Sequence, residues 1–150
     1  MRPTFPTLAC GLSLLLGSSS ALANPCALTI QSTDQMTFVP TELSVPAHCK
    51  EVTLTLQHAG TLPATTMGHN WVLAETSKLR PLAIAGMNAA DNAYVPKDDE
   101  RVIAHTRVIG GGESDTITFS TEGLTPGGDY SYFCSFPGHW SVMKGKFIFL

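Results

Sequence analysis

Charge is scarce in this sequence. Asp, Glu, Lys and Arg make up 14% of the 150 residues, well below the roughly one quarter usual for soluble domains. Nine Lys and Arg face twelve Asp and Glu, a formal net charge of −3, so no basic field exists to hold a phosphate backbone and nucleic acid is excluded as a partner. No apolar run reaches the about 20 residues a membrane-spanning helix needs. The glycine run Gly110-Gly111-Gly112 has no Lys-Ser or Lys-Thr after it, which removes a phosphate loop. Internal repeats and interdomain linkers are also missing, and the length suits one domain rather than two.

What is present begins with an address. Arg2 supplies one positive charge, an apolar stretch runs through Leu8, Leu12 and Leu14-Leu15-Leu16, and small residues lead to Ala21-Leu22-Ala23, an A-x-A cleavage signal. Residues 1–23 therefore read as an export peptide cleaved after Ala23, leaving a single domain over residues 24–150. Loss of Arg2 takes the net charge from −3 to −4. Cys10 precedes the apolar run instead of following it, so a lipid-bearing N-terminus there is rejected and no membrane anchor is expected.

Thirteen Gly and ten Pro favour a turn-rich β protein. From Glu51 the alternation is regular: Val52, Leu54 and Leu56 on one face, Thr53, Thr55 and Gln57 on the other, a half-buried strand that also turns His58 inward. Similar runs predict strands at 27–31, 70–73, 101–109, 116–120, 130–133 and 146–150. Leu62-Pro63, the glycine run and Thr125-Pro126-Gly127-Gly128 punctuate them as turns. Between Glu75 and Ala90 the spacing of Lys78, Leu79, Leu82 and Ala83 predicts one short helix in a long crossover, interrupted by Pro81. The polar stretch 91–101 is expected as a solvated loop. The fold class is all-β, a β-sandwich.

Three cysteines remain after export: Cys26, Cys49 and Cys134. In an oxidising compartment one disulfide leaves one thiol over. Cys26 with Cys49 would staple the N-terminal segment; a pair using Cys134 stays open on spacing alone. Cys134 has company, however. Cys134, His139 and Met143 form Cys-x4-His-x3-Met, and His69 lies in the earlier turn Met67-Gly68-His69-Asn70-Trp71. A thiolate, two imidazoles and a thioether form the donor set of a trigonal copper site with a long axial bond, one suited to electron transfer. Within the loop, Pro137 is stiff and removes a backbone N–H from the neighbourhood of the sulfur, while Gly138 is permissive. A Cys/His nucleophile is the enzymatic rival, but no orienting third group or oxyanion arrangement accompanies it.

Met67-Gly68-His69-Asn70-Trp71-Val72, Arg101-Val102-Ile103-Ala104-His105-Thr106 and Phe133-Cys134-Ser135-Phe136-Pro137-Gly138-His139, followed by Met143-Lys144-Gly145, closely resemble the azurins of the cupredoxin family of type 1 blue copper proteins. The resemblance extends to Cys26, Asp34-Gln35-Met36 and Cys49-Lys50. It implies a Greek-key cupredoxin (plastocyanin-like) sandwich of the bacterial periplasm, a monomer that is not an enzyme. It further implies one copper ion cycling between Cu(I) and Cu(II), and single electrons shuttled between redox proteins such as c-type cytochromes or copper or haem reductases. Residue by residue, it makes Cys134, His69 and His139 the strong ligands, with Met143 and the Gly68 carbonyl as weak axial contacts. It pairs Cys26 with Cys49, and sets Asn70 and Phe136 beside the ligands. Met36, Leu62, Met67, Met87, Phe136 and Gly138 then form an apolar docking patch around the edge of His139.

Two positions depart from the pattern. Ala59 follows His58 where proline is frequent, and bulky Trp140 follows His139 where a small residue is common; Trp140 is expected in the docking patch, which it would reshape. A copper buffering or delivery protein is the alternative function, weakened by a ligand set spread over two loops. His48 and His105 have no assigned role, and Trp71 reads as core.

Overall fold

The computed structural model describes Met1 and residues 24–150; the export peptide, Cys10 and the cleavage point after Ala23 lie outside the described residues. Among the described residues, nine strands form two sheets: β1 (Ala27–Thr33), β2 (Thr37–Val39), β3 (Glu42–Val45), β4 (Glu51–His58), β5 (Val72–Glu75), β6 (Ala104–His105), β7 (Ser114–Ser120), β8 (Tyr130–Phe133) and β9 (Lys144–Phe149). One sheet runs β2-β1-β4-β7, the other β3-β9-β8-β5-β6, with β1–β4 and β3–β9 parallel. This is the expected all-β sandwich.

The alternation in β4 decides which side faces the core. Val52, Leu54 and Leu56 are fully buried and His58 nearly so, while on the opposite face Thr53 and Thr55 share hydroxyl hydrogen bonds with Thr118 and Thr116 of β7, at 3.1 and 2.9 Å. Across the sandwich, Trp71, Leu73, Tyr132, Phe147 and Phe149 complete the core. Trp71 is wholly buried, its ring 5.8 Å from those of Phe119 and Tyr132. The Cys26–Cys49 disulfide is formed and joins the starts of the parallel pair β1 and β4, leaving Cys134 as the free cysteine among the described residues.

The crossover contains a turn of 3-10 helix (Thr76–Lys78) running into a helix at Leu79–Gly86. Pro81 does not interrupt it. Pro81 occupies the first turn, where a backbone N–H has no helical acceptor, so its loss there is harmless. Leu79, Leu82 and Ala83 lie against the outer face of the second sheet with Val72, Ala74 and Phe133, so β5 and β8 are covered on both sides. A one-turn helix at Ala64–Met67 and a 3-10 turn at Ala90–Asn92 add to the single helix expected.

Strand expectations change in three places. The strand expected at 70–73 begins at Val72 and runs to Glu75, leaving Asn70 in the turn before it. The 101–109 run forms a regular strand only at Ala104–His105; beyond it Thr106 N–H donates to the Trp71 carbonyl and Ile109 makes an isolated antiparallel bridge with His69. The edge strands β2 and β3 escaped notice because three or four residues are too few to show a period.

Candidate metal centre

The pairing of β5 with β8 builds the centre. Val72 stands opposite Phe133 in an antiparallel register, so the residues just before β5 and just after β8 emerge at the same end of the sheet. His69 and Cys134 are those residues. His69 is pinned by a reciprocal backbone pair with Ile109, at 3.0 and 2.8 Å. After Cys134 the chain folds back tightly: His139 N–H donates to the Phe136 carbonyl, Met143 N–H to that of His139, and Cys134 N–H to that of Met143, at 3.0, 2.8 and 3.0 Å. Gly138 takes φ +84° within this loop, a left-handed conformation that glycine adopts freely.

Three donor atoms converge. Cys134 Sγ lies 3.8 Å from His69 Nδ1 and 3.6 Å from His139 Nδ1, and the two nitrogens are 3.2 Å apart. All three residues are buried. A first-row metal about 2.0–2.1 Å from imidazole nitrogen and about 2.3 Å from sulfur subtends edges of this size, so the donor set fits one such ion. Met143 is fully buried beside Cys134 in the same core group.

The protonation pattern also calls for a cation. His69 Nε2 lies 2.9 Å from the Thr33 carbonyl. The hydrogen is therefore on Nε2, and Nδ1 presents a lone pair to the cluster. Burial, opposed by that bond, lowers the His69 pKa to about 4, and burial lowers that of His139 too. The Cys134 thiol is pushed up to about 12 by burial, even though the backbone N–H groups of Asn70 and Phe136 act on the sulfur and pull the other way. Neutral imidazoles and a thiol that resists ionisation without a compensating charge suit a bound metal ion. Pro137 withholds its own N–H, yet two other backbone donors still address the sulfur.

Surrounding residues hold the donors in place. The Asn70 amide bonds to Ser135 and to the Ala93 carbonyl. His58 stacks on His69 with ring centroids 4.6 Å apart; its Nδ1 accepts from Gly60 N–H and its Nε2 donates to the Met67 carbonyl, both at 3.0 Å. His58 is thus the satisfied inward histidine its strand parity predicts. Asp34, 3.8 Å from His58 Nε2, has its pKa lowered chiefly by the Thr61 N–H. Phe136 lies between Tyr94 and His139, at ring distances of 5.2 and 4.9 Å. The Thr33 carbonyl and Ser135 were missed from the sequence: a backbone acceptor leaves no residue signature, whereas the polar Ser135 beside a buried ligand did offer one.

Leu62, Met87 and Gly138 are exposed, and Met36, Met67 and Phe136 are half-buried. Trp140 is half-buried and packs on the group containing Leu79 and Phe133, whereas Met36 and Phe136 pack on the main core. His48 lies within reach of Cys26 and Cys49, but the disulfide consumes both sulfurs. His105 turns its Nδ1 to the Thr106 carbonyl at 3.1 Å.

A β-sandwich with a buried His-Cys-His cluster at one end defines a copper-binding protein of the cupredoxin type. The family described as copper binding proteins, plastocyanin/azurin family, matches residues 24–149, and the chain belongs to it. It is 49% identical over 137 residues to the azurin of Achromobacter denitrificans, covering 89% of this chain and 92% of that protein. It is 50% identical over 121 residues to azurin-1 of Alcaligenes xylosoxydans xylosoxydans, covering 80% and 94%. The solved structure of the azurin Az-iso2 from Methylomonas sp. strain J superposes with a TM-score of 0.80 at 44% identity, over 83% of this chain and 98% of that one.

Proposed function

We propose that this protein is a periplasmic blue copper carrier of single electrons, with His69, Cys134 and His139 as the strong ligands of one copper ion and Met143 and the Gly68 carbonyl as weak axial contacts. The convergence of donor atoms from three buried residues within 4.8 Å of one another carries the reading. Bound copper supplies a one-electron couple between Cu(I) and Cu(II).

The chain's own residues keep the site in one shape. Thr33 holds the His69 ring through Nε2, Asn70 ties the two ligand loops, and Phe136 covers His139. Fixed donors favour exchange with little rearrangement. His139 keeps 5% of its surface open, and around that edge Met36, Leu62, Met67, Met87, Phe136, Gly138 and Trp140 form the docking patch. An uncharged face suits brief encounters with c-type cytochromes or copper or haem reductases, since transient redox interfaces bury less than about 1,200 Å². The protein transforms no substrate and acts as a monomer. Residues 1–23 direct export, and Asn24 is the first residue of the mature chain.

The oxidised, copper-loaded protein is expected to show an intense blue thiolate-to-copper absorption and a small parallel copper hyperfine splitting. Cys134→Ser should abolish the blue band; a band surviving in that variant refutes the assignment. Burial of the donors, complete at His69 and Cys134, argues against copper delivery, which needs exchangeable ligands. Stopped-flow mixing with a c-type cytochrome separates the two, because electron exchange with copper retained supports the carrier and metal transfer supports delivery.

A further inference from the structure

On the outer side of the five-stranded sheet, Trp140 and Leu79 line a groove of about 500 Å³ whose other walls include Arg80, Lys144 and Lys146. No acidic residue lines it. Lys146 is paired with Asp129 at 3.0 Å, but neither Arg80 nor Lys144 has a carboxylate partner among the described residues, which makes this a local cationic site on a chain whose formal net charge is −3. Trp140 is half-buried and Leu79 is 7% exposed, so they give the groove an apolar, partly aromatic wall. Ser131, 6% exposed, adds a hydroxyl.

We propose that this groove binds a small amphiphilic organic anion, its aromatic or aliphatic body against Trp140 and Leu79 and its carboxylate or sulfonate between Arg80 and Lys144. Charge complementarity selects the head group, since unpaired guanidinium and ammonium groups beside an apolar wall favour an anion over a neutral or cationic molecule. The volume falls within the range of small-molecule pockets. The aromatic wall favours a flat body. Trp140 follows His139 directly in the chain, so the occupant lies against the residue that continues the ligand loop. Recognition needs no metal chemistry and does not depend on the redox reading.

The test uses the copper-loaded protein in its reduced, diamagnetic state, titrated with 8-anilinonaphthalene-1-sulfonate while probe fluorescence and the Trp140 indole N–H resonance are followed. One saturable site that shifts the Trp140 resonance is expected. The double variant R80E/K144E should bind about tenfold more weakly or worse, as loss of a charge-assisted hydrogen bond implies. W140S should also weaken binding, and the neutral analogue N-phenyl-1-naphthylamine should bind about tenfold less tightly than the sulfonate by the same measure. Thermal melts of both variants establish that they remain folded. Equal affinity of the neutral analogue, undiminished binding by folded R80E/K144E, or resonance shifts confined to another face would each overturn the proposal.

Discussion

Asn70 and Ser135, 65 positions apart, are joined by two hydrogen bonds: the Asn70 carbonyl accepts from Ser135 N–H at 2.8 Å, and its amino group donates to Ser135 Oγ at 2.7 Å. The same amino group reaches the Ala93 carbonyl at 2.8 Å. One fully buried amide thereby locks the loop carrying His69 to the loop carrying Cys134. Asn70→Ala strands the Ser135 N–H in a dry environment, and the variant should lose about 2–4 kcal/mol of stability. Urea unfolding checks this, and an unchanged midpoint would show that the amide is dispensable.

The disulfide acts at a distance from the metal centre. Cys26 precedes β1, whereas Thr33, the residue holding His69, ends it; seven residues of strand separate them by roughly 23 Å. Replacing both Cys26 and Cys49 by Ala reopens a link of sequence separation 23, which the chain-entropy estimate values at about 3 kcal/mol. The double variant should melt at a lower temperature with its copper absorption unchanged. A displaced absorption band would mean that the strain reaches Thr33 and the ligands.

Gly68 is held where no side chain fits. A Cβ there would run into the Ala64 carbonyl oxygen, and would come within 2.6 Å of Val108 Cγ1 and 2.9 Å of Phe136 Cε2. The backbone itself is ordinary extended chain, so the constraint is space. Gly68→Ala must push Phe136 or the His69 turn outward, at a cost of about 1–3 kcal/mol typical of overpacking. Because that turn carries a ligand, the copper spectrum should change as well. Thermal unfolding and absorption measured together would check both effects, and a variant unaltered in both would contradict this account.

Legibility from sequence followed the scale of each interaction. β4 was readable because Val52, Leu54 and Leu56 alternate over a full strand, and the close approach of Cys134 to His139 follows from five positions in one tight loop. Gly138 reads as a permissive residue in that loop, and the structure uses the freedom for a left-handed turn. The 101–109 run was overread, because apolar composition does not say that Thr106 and Ile109 bond to the turn around His69. Pro81 reads as an interruption of the helix but falls in its first turn, because the start of a helix is a boundary that propensity does not set sharply. The position of His69 beside Cys134 depends on the β5–β8 register, which no local pattern encodes; there the resemblance of the motifs supplied what periodicity could not. Trp140, a departure from the family pattern next to a ligand, packs with Leu79 and Phe133, a contact that no local periodicity announces.

Acid and alkali should both weaken the metal-free protein, for opposite reasons at two ligands. Burial lowers the His69 pKa from 6.5 to about 4 in the folded chain, so between those values the unfolded chain binds a proton that the folded chain refuses. Protons then favour unfolding, and stability falls as pH drops from 6.5 toward 4. His139, also lowered by burial, acts in the same direction. Cys134 works the other way: its pKa rises from 9.0 to about 12, so the unfolded thiol releases a proton that the folded one keeps, and stability falls as pH climbs through that interval. Copper bound to the three atoms removes the free lone pairs and the thiol proton, which should flatten both limbs. Melting temperatures of metal-free and copper-loaded protein from pH 4 to pH 11 test this, with Cys134→Ala expected to lose the alkaline limb between pH 9 and pH 10 and to keep the acid limb, while above pH 10 buried Tyr132, whose pKa burial also raises, still costs stability. A metal-free melting temperature that stays constant from pH 7 to pH 4 would refute the acid half of the argument.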